Sequence, residues 1–376
     1  QNVSVADLYA AGMIFLNQDA AKAESSRAEL TKQLERQGLS VAGWLSVPVN
    51  ADVCGTEARA ALPQFEQIIV NAPEGMAEDH FNGMLFTARR IAEKAIEAED
   101  DTFYVASLSS RMVSYKGLVM PVDLPKLYVD LADDSFKTSI AVFHQRFSTN
   151  TFPQWRLCQP FRFIAHNGEI NTIQGNRNWA NARAHKFETA KLPDLAEMHP
   201  LVNSTGSDSS SADNMLDVLT AGGMDIFRAL RCLVPPAWQN ATTMDAELRA
   251  FYEYNSMHME PWDGPAGMVL SDGRYAICAL DRNGLRPSRY VITKDRVITC
   301  ASEIGVCDYE AEDVVEKGRL GPGQMMAVDV ETGKLMKTEE INDILKSQQP
   351  YAKWLQENTV QLQTVLDDQK LSDNPL

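Results

Sequence analysis

The sequence predicts an α+β protein in which helices and antiparallel strands are segregated along the chain. Apolar residues recur at helical spacing in the first hundred positions, and short β-branched runs joined by hairpin dipeptides follow Met268. These strands are consecutive rather than alternating with helices, which argues against a parallel βαβ array.

Residues 19–37 are polar and helix-favouring, and Gly38 supplies the stop. Phe81, Leu85, Ala88, Ala92 and Ala95 mark one face of a second helix. The runs 67–70, 103–108 and 140–147 have the length and β-branched content of strands. A serine-rich stretch, 203–211, leads into Met215, Leu216 and Leu219, which predicts a helix behind a polar cap. Residues 244–258 are helical by the same spacing. Strands are then predicted at 268–270, 275–280, 290–292, 297–300 and 325–330, with Asp272-Gly273, Lys294-Asp295 and Thr332-Gly333 as hairpin turns. After Glu339, charged and amphipathic residues interrupted by Pro350 read as helices leaving the domain or as a linker. The expected division is a main domain over 1–340 and a helical extension or linker toward a following domain over 341–376.

With 376 residues, 44% hydrophobic and 23% charged, the chain can bury a full core and has the composition of a folded protein. Its formal net charge of -16 repels phosphate backbones and anionic lipid, so neither nucleic acid nor membrane is an expected partner. No apolar run approaches the roughly 18–20 residues of a membrane helix. Small metabolites and other proteins are the expected partners, and the cytoplasm the expected location. Arginines at short range still suit a carboxylate, whatever the overall sign. The six cysteines, Cys54, Cys158, Cys232, Cys278, Cys300 and Cys307, form no C-x-x-C pair and follow no zinc-ligand rhythm, so buried thiols and no metal are expected. Neither a dinucleotide fingerprint nor a P-loop occurs.

The chemistry concentrates between His144 and Asn171, in HQRFSTN, a proline-punctuated loop and FRFIAHNGEIN. Asn167-Gly168 after alternating Phe161 and Phe163 is by itself a type I′ hairpin signal. Arg146 at a strand end is by itself a solvated or salt-bridged group, and Asp208 in GSDSSS a capping or loop aspartate. His144, His166 and His258 read as core or surface histidines.

Together with GSDSSS and DRNGLRPSRY, these motifs in this order resemble the class II glutamine amidotransferases, whose glutaminase domains are N-terminal nucleophile hydrolases. QRFSTNTFPQW, AHNGEINTIQGNRNW, TGSDSSSADN and MHMEPWDGPAG narrow the resemblance to the large subunits of NADPH-dependent glutamate synthases, from about Ala11 to Leu355. The resemblance implies a glutaminase domain built as a four-layer αββα sandwich, with L-glutamine as substrate. Glutamine is a zwitterion that calls for a cation at its α-carboxylate and an anion at its ammonium, and the resemblance gives these roles to Arg146 and Asp208. The tetrahedral oxyanion needs pre-aimed donors, which the resemblance assigns to the Asn167 side-chain amide and the Gly168 backbone N–H. A tight turn there is expected to present the backbone donor. Arg286 and Arg289 are expected to support the site or the fold.

The resemblance further implies that ammonia passes to 2-oxoglutarate in other domains of the large subunit. Those domains use FMN and a 3Fe-4S cluster, and a small flavoprotein partner subunit carries FAD and NADPH; no cofactor is implied for this domain. Family members open with a cysteine whose thiolate attacks the carboxamide and whose free α-amine is the general base. Residue one here is Gln1, and no internal cysteine has a free α-amine. The expectation is that an upstream segment carries the nucleophile, and that these residues alone release no ammonia from glutamine. Cys158 is the internal substitute to weigh. The alternatives are a catalytically silent interaction or regulatory domain, and a different amidotransferase, such as one making glucosamine phosphate or phosphoribosylamine.

Overall fold

The computed structural model describes residues 3–148 and 151–360. Its first part comprises β1 (Tyr9–Leu16), α1 (Ala20–Arg36), β2 (Ser40–Ser46), α2 (Thr56–Ala60), β3 (Gln64–Asn71), α3 (Glu78–Ile96), β4 (Tyr104–Ser109) and the short α4 (Leu124–Leu127). Its strands form an antiparallel sheet in the order β2-β3-β1-β4. Asp19 starts α1 by accepting from the N–H groups of Ala21 (2.9 Å) and Lys22 (3.0 Å), which would otherwise lack partners. Leu30 and Leu34 of α1 and Phe81, Leu85, Ala88 and Ala92 of α3 bury themselves against Ala10, Ile14, Ile68 and Val70. Each fully buried Leu or Phe stabilises by about 1.5–3 kcal/mol. The alternate side chains, Met13, Phe15, Phe65 and Ala106, face the other way and pack with Leu127, Tyr128 and Trp155.

The second part holds β5 (Ile164–Gly168), α5 (Ile173–Arg183), α6 (Asp208–Ala221), α7 (Ile226–Leu233), α8 (Ala246–Ser256), β6 (Ala266–Ser271), β7 (Tyr275–Leu280), β8 (Arg289–Thr293) and β9 (Ile298–Ala301). It continues through β10 (Val314–Arg319), β11 (Met325–Asp329), β12 (Lys334–Met336), α9 (Thr338–Ser347) and α10 (Tyr351–Asn358). A five-stranded antiparallel sheet runs β12-β11-β7-β6-β5, and a three-stranded one runs β10-β8-β9. Gly273 (φ +89°) and Gly333 (φ +66°) sit in two of the three turns that the sequence predicts. One face of the larger sheet, with Ile164, Met268, Leu270, Ile277 and Ala327, packs on Met215, Leu216, Phe227, Leu230 and Phe251 of the helices. Val269, Cys278, Leu280 and Met326 point to the opposite face, toward Tyr290, Ile298, Cys300 and Leu320. No helix among the described residues is long and apolar enough to cross a membrane.

The helices α9 and α10 pack back on the chain: Ile341, Leu345 and Tyr351 are buried in the same cluster as Phe251, and residue 340 lies inside α9. Their amphipathic pattern is satisfied within the chain. Residues 140–147, expected as a strand, form none: a strand exists only with a ladder partner, and among the described residues β5 pairs with β6 alone.

A buried polar knot joins the two parts. Arg162, just before β5, donates to Glu93 of α3 (2.6 Å) and to the Val105 carbonyl of β4 (2.8 Å). Arg89 bridges Glu93 (2.8 Å) and Asp217 of α6 (2.5 Å). Asp213 of α6 accepts from the backbone N–H groups of Arg162, Phe163 and Ile164 at 3.2, 2.8 and 3.1 Å, which fixes how the chain begins β5. Burial alone would raise the Glu93 carboxyl, but Arg89, Arg162 and Arg90 outweigh it and hold it at about 2. A carboxylate depressed in the folded state stabilises fully above its unfolded value of 4.5 and loses that contribution as pH falls from there toward about 2. The melting temperature of the protein is therefore expected to fall more steeply across that interval than that of Glu93→Gln. Parallel pH profiles would show that Glu93 does not titrate in this way.

Candidate active site

β5 pairs with β6 in the register His166↔Met268, Asn167↔Gly267 and Gly168↔Ala266. Because side chains alternate along a strand, His166 lies with Ile164 on the helix side and Asn167 with Ala165 on the other. That other side borders a cavity of about 470 Å³. Its wall includes Arg146, Asn167, Gly168, Asp208, Arg286 and Cys300. All four residues singled out for glutamine thus meet at one cavity, although they come from three separate stretches of chain.

Asn167-Gly168 is not a type I′ turn. Both residues belong to β5, whose partner β6 begins only at Ala266, so no hairpin is closed there. Gly168 is nevertheless obligatory. Its φ is +138°, and a Cβ would lie 1.7 Å from the Pro265 carbonyl oxygen, which also accepts from the Glu169 N–H at 3.0 Å. Opposite it, Gly264 (φ +159°) leaves a Cβ 1.9 Å from the Glu169 carbonyl oxygen. Close backbone approach, not turn geometry, accounts for the glycine. Gly168→Ala is expected to cost about 3 kcal/mol through strain and clash. Calorimetry checks this, and an unchanged melting temperature would contradict the close approach.

Asp208 opens α6, where the helix dipole favours an anion. Ser207 caps the helix by accepting from the Ser210 N–H at 3.1 Å, leaving the Asp208 carboxylate free for other donors. It accepts from the Ile170 N–H at 2.7 Å and the Ser209 N–H at 2.8 Å, two contacts that aim it. Beneath it, His166 Nδ1 is 2.8 Å from Ser209 Oγ and 4.0 Å from Asp208 Oδ2. Burial pushes the His166 imidazole down to about 4, so it is neutral near pH 7. A carboxylate so aimed at a cavity wall suits an ammonium group.

Arg146 lies in the irregular segment that borders the cavity and is exposed; Asn150, in the same motif, lies outside the described residues. Sequence reasoning missed Gln159, which clamps the His166 backbone by accepting from its N–H (2.7 Å) and donating to its carbonyl (3.2 Å). It also missed Ser209 and Asp213, although both stand within the GSDSSSADN motif. Asp281 of DRNGLRPSRY accepts from the N–H groups of Ala266, Asn283 and Gly284 at 3.0, 2.9 and 3.2 Å, so it pins the residue opposite Gly168. Arg286 of the same segment reaches the cavity wall, whereas Arg289 stands exposed on β8. Among the described residues no group of three or more His, Cys, Asp or Glu is placed to hold a metal. Burial pushes the Cys158 thiol up to about 11, the opposite of what a nucleophile requires.

This arrangement, with an amide and a glycine at one strand end facing a helix-borne carboxylate, is accompanied by a clear family membership. The chain belongs to the class II glutamine amidotransferases, whose sequence model matches residues 1–354. It is similar to ferredoxin-dependent glutamate synthase 2 of Synechocystis sp., at 43% identity over 96% of this chain. It is also similar to the glutamate synthase [NADPH] large chains of Bacillus subtilis and Azospirillum brasilense, each at 40% identity over 96% and 97% of this chain. The chain spans about a quarter of these relatives, covering 23%, 24% and 24% of their lengths.

Proposed function

We propose that this domain is the glutaminase part of a glutamate synthase, hydrolysing L-glutamine to glutamate and ammonia. The observation that carries the reading is the convergence of Arg146, Asn167, Gly168 and Asp208 on one cavity. Arg146 holds the substrate α-carboxylate and Asp208 its α-ammonium. An N-terminal cysteine thiolate attacks the carboxamide carbon, its own α-amine having taken the thiol proton. The oxyanion that forms accepts from the Asn167 side chain and the Gly168 N–H, ammonia leaves with the proton, and water cleaves the thioester.

In this reading the ammonia travels to other domains of a longer chain and combines with 2-oxoglutarate to give a second glutamate. FMN and a 3Fe-4S cluster belong to those domains, and FAD and NADPH to a small flavoprotein subunit that is its partner; the domain itself works without a cofactor, in the cytoplasm. The four-stranded and five-stranded sheets are read as the inner layers of a four-layer αββα sandwich, supported by the helices that back one face of each. The test is ammonia release from L-glutamine, with and without 2-oxoglutarate, by the complete protein. Release, with glutamate formed at twice the yield when 2-oxoglutarate and reductant are present, is expected. Absence of any release would leave a catalytically silent domain instead.

A further inference from the structure

We propose that Cys278 and Cys300 are a peroxide-responsive thiol pair whose reversible disulfide staples the five-stranded sheet to the three-stranded sheet along the cavity wall. The pair is independent of the glutaminase reading, since neither thiol takes part in it. Cys278 lies in β7 and points away from the helices, while Cys300 lies in β9 opposite Tyr290 of β8. The two sulfurs are in contact, Sγ to Sγ at 2.6 Å. Ser288 Oγ completes a triangle, 3.1 Å from the Cys278 sulfur and 3.5 Å from that of Cys300. A disulfide bond of about 2.05 Å requires the sulfurs to move together by only roughly half an ångström.

The two cysteines differ in a way that sets the order of events. Cys278 is 5% exposed and packed among Leu280, Leu320 and Met326, whereas Cys300 is half-buried. Both border the cavity, which gives a small oxidant a path. The contact between the two sulfurs lowers the Cys300 thiol, despite burial, and raises that of Cys278. Cys300 is therefore the attacking thiolate. Its sulfur attacks hydrogen peroxide, the O–O bond breaks, and Cys300 becomes a sulfenic acid as hydroxide leaves and is protonated to water. Cys278 sulfur then attacks the sulfenic sulfur; the S–S bond forms, the S–O bond breaks, and the second oxygen leaves as water with the Cys278 proton. Two thiols and one peroxide thus give one disulfide and two waters, and an external dithiol reverses the change by exchange.

The competing account is that two small thiols simply pack in an apolar contact between sheets. Peptide mapping separates the two. The complete protein is reduced, exposed to hydrogen peroxide, alkylated and digested. The peptides holding Cys278 and Cys300 are expected to appear joined and lighter by two hydrogens, and to separate again after dithiothreitol. In Cys278→Ser the sulfenic acid on Cys300 has no partner, so dimedone is expected to label Cys300 in the variant and not in the wild type. Amide exchange over 298–306 is expected to slow in the oxidised protein. Both cysteines alkylated after peroxide, a Cys300–Cys307 link in place of the expected one, or equal dimedone labelling in variant and wild type would overturn the pair. A formed bond with unchanged exchange would overturn the staple.

Discussion

Asn167→Ala in the complete protein, its N-terminal cysteine present, is expected to lower kcat for glutamine hydrolysis by about 10² to 10³-fold, the loss that follows removal of one oxyanion donor. KM should move far less, because the donor acts on charge that develops only in the transition state. The strand position of Asn167 makes this variant a clean probe. Had the residue occupied a type I′ turn, alanine would have been strained at positive φ and the protein destabilised. Within β5 its backbone pairs with Gly267 whatever side chain it carries, so the melting temperature is expected to stay nearly constant. Normal melting with unimpaired turnover would eliminate the oxyanion role.

The second large effect falls on substrate affinity. Asp208→Asn and Arg146→Ala each remove one charge-assisted contact to the unreacting end of glutamine, worth roughly 1.5–3 kcal/mol, so KM should rise about 10- to 100-fold with a smaller change in kcat. The two variants control for each other. Asparagine at 208 turns an amide nitrogen toward the N–H of Ile170 or Ser209 and is expected to cost some stability as well. Arg146 is exposed, and its truncation should leave the fold intact. Unchanged KM for both, with folding verified, would remove the clamp.

Much of the fold was legible because it rests on local signals. The α3 stripe from Phe81 to Ala92 and the β6–β7 turn at Asp272-Gly273 need only periodicity and turn chemistry to be recognised. What escaped depends on partners distant in sequence. Residues 140–147 have strand composition yet no ladder, and Asn167-Gly168 has turn composition yet a partner strand that begins at Ala266. The back-folding of α9 and α10 is decided by a buried docking surface that includes Phe251, which their own amphipathic pattern cannot specify. The site followed the same division. Arg146, Asn167, Gly168 and Asp208 were marked by motif, whereas Gln159, Ser209, Asp213 and Asp281 act by holding backbone and carboxylate groups that only the folded chain brings near.

The most direct measurement is a crystal structure of the complete protein with L-glutamate, the product, bound. The ligand is predicted to occupy the cavity beside β5, its α-carboxylate paired with the Arg146 guanidinium and its ammonium with Asp208, and one side-chain carboxylate oxygen within hydrogen-bond reach of Asn167 Nδ2 and the Gly168 N–H. Glutamate bound outside this cavity, or bound within it with its side-chain carboxylate on Arg146 and its α-groups beside Asn167, would contradict the assignment.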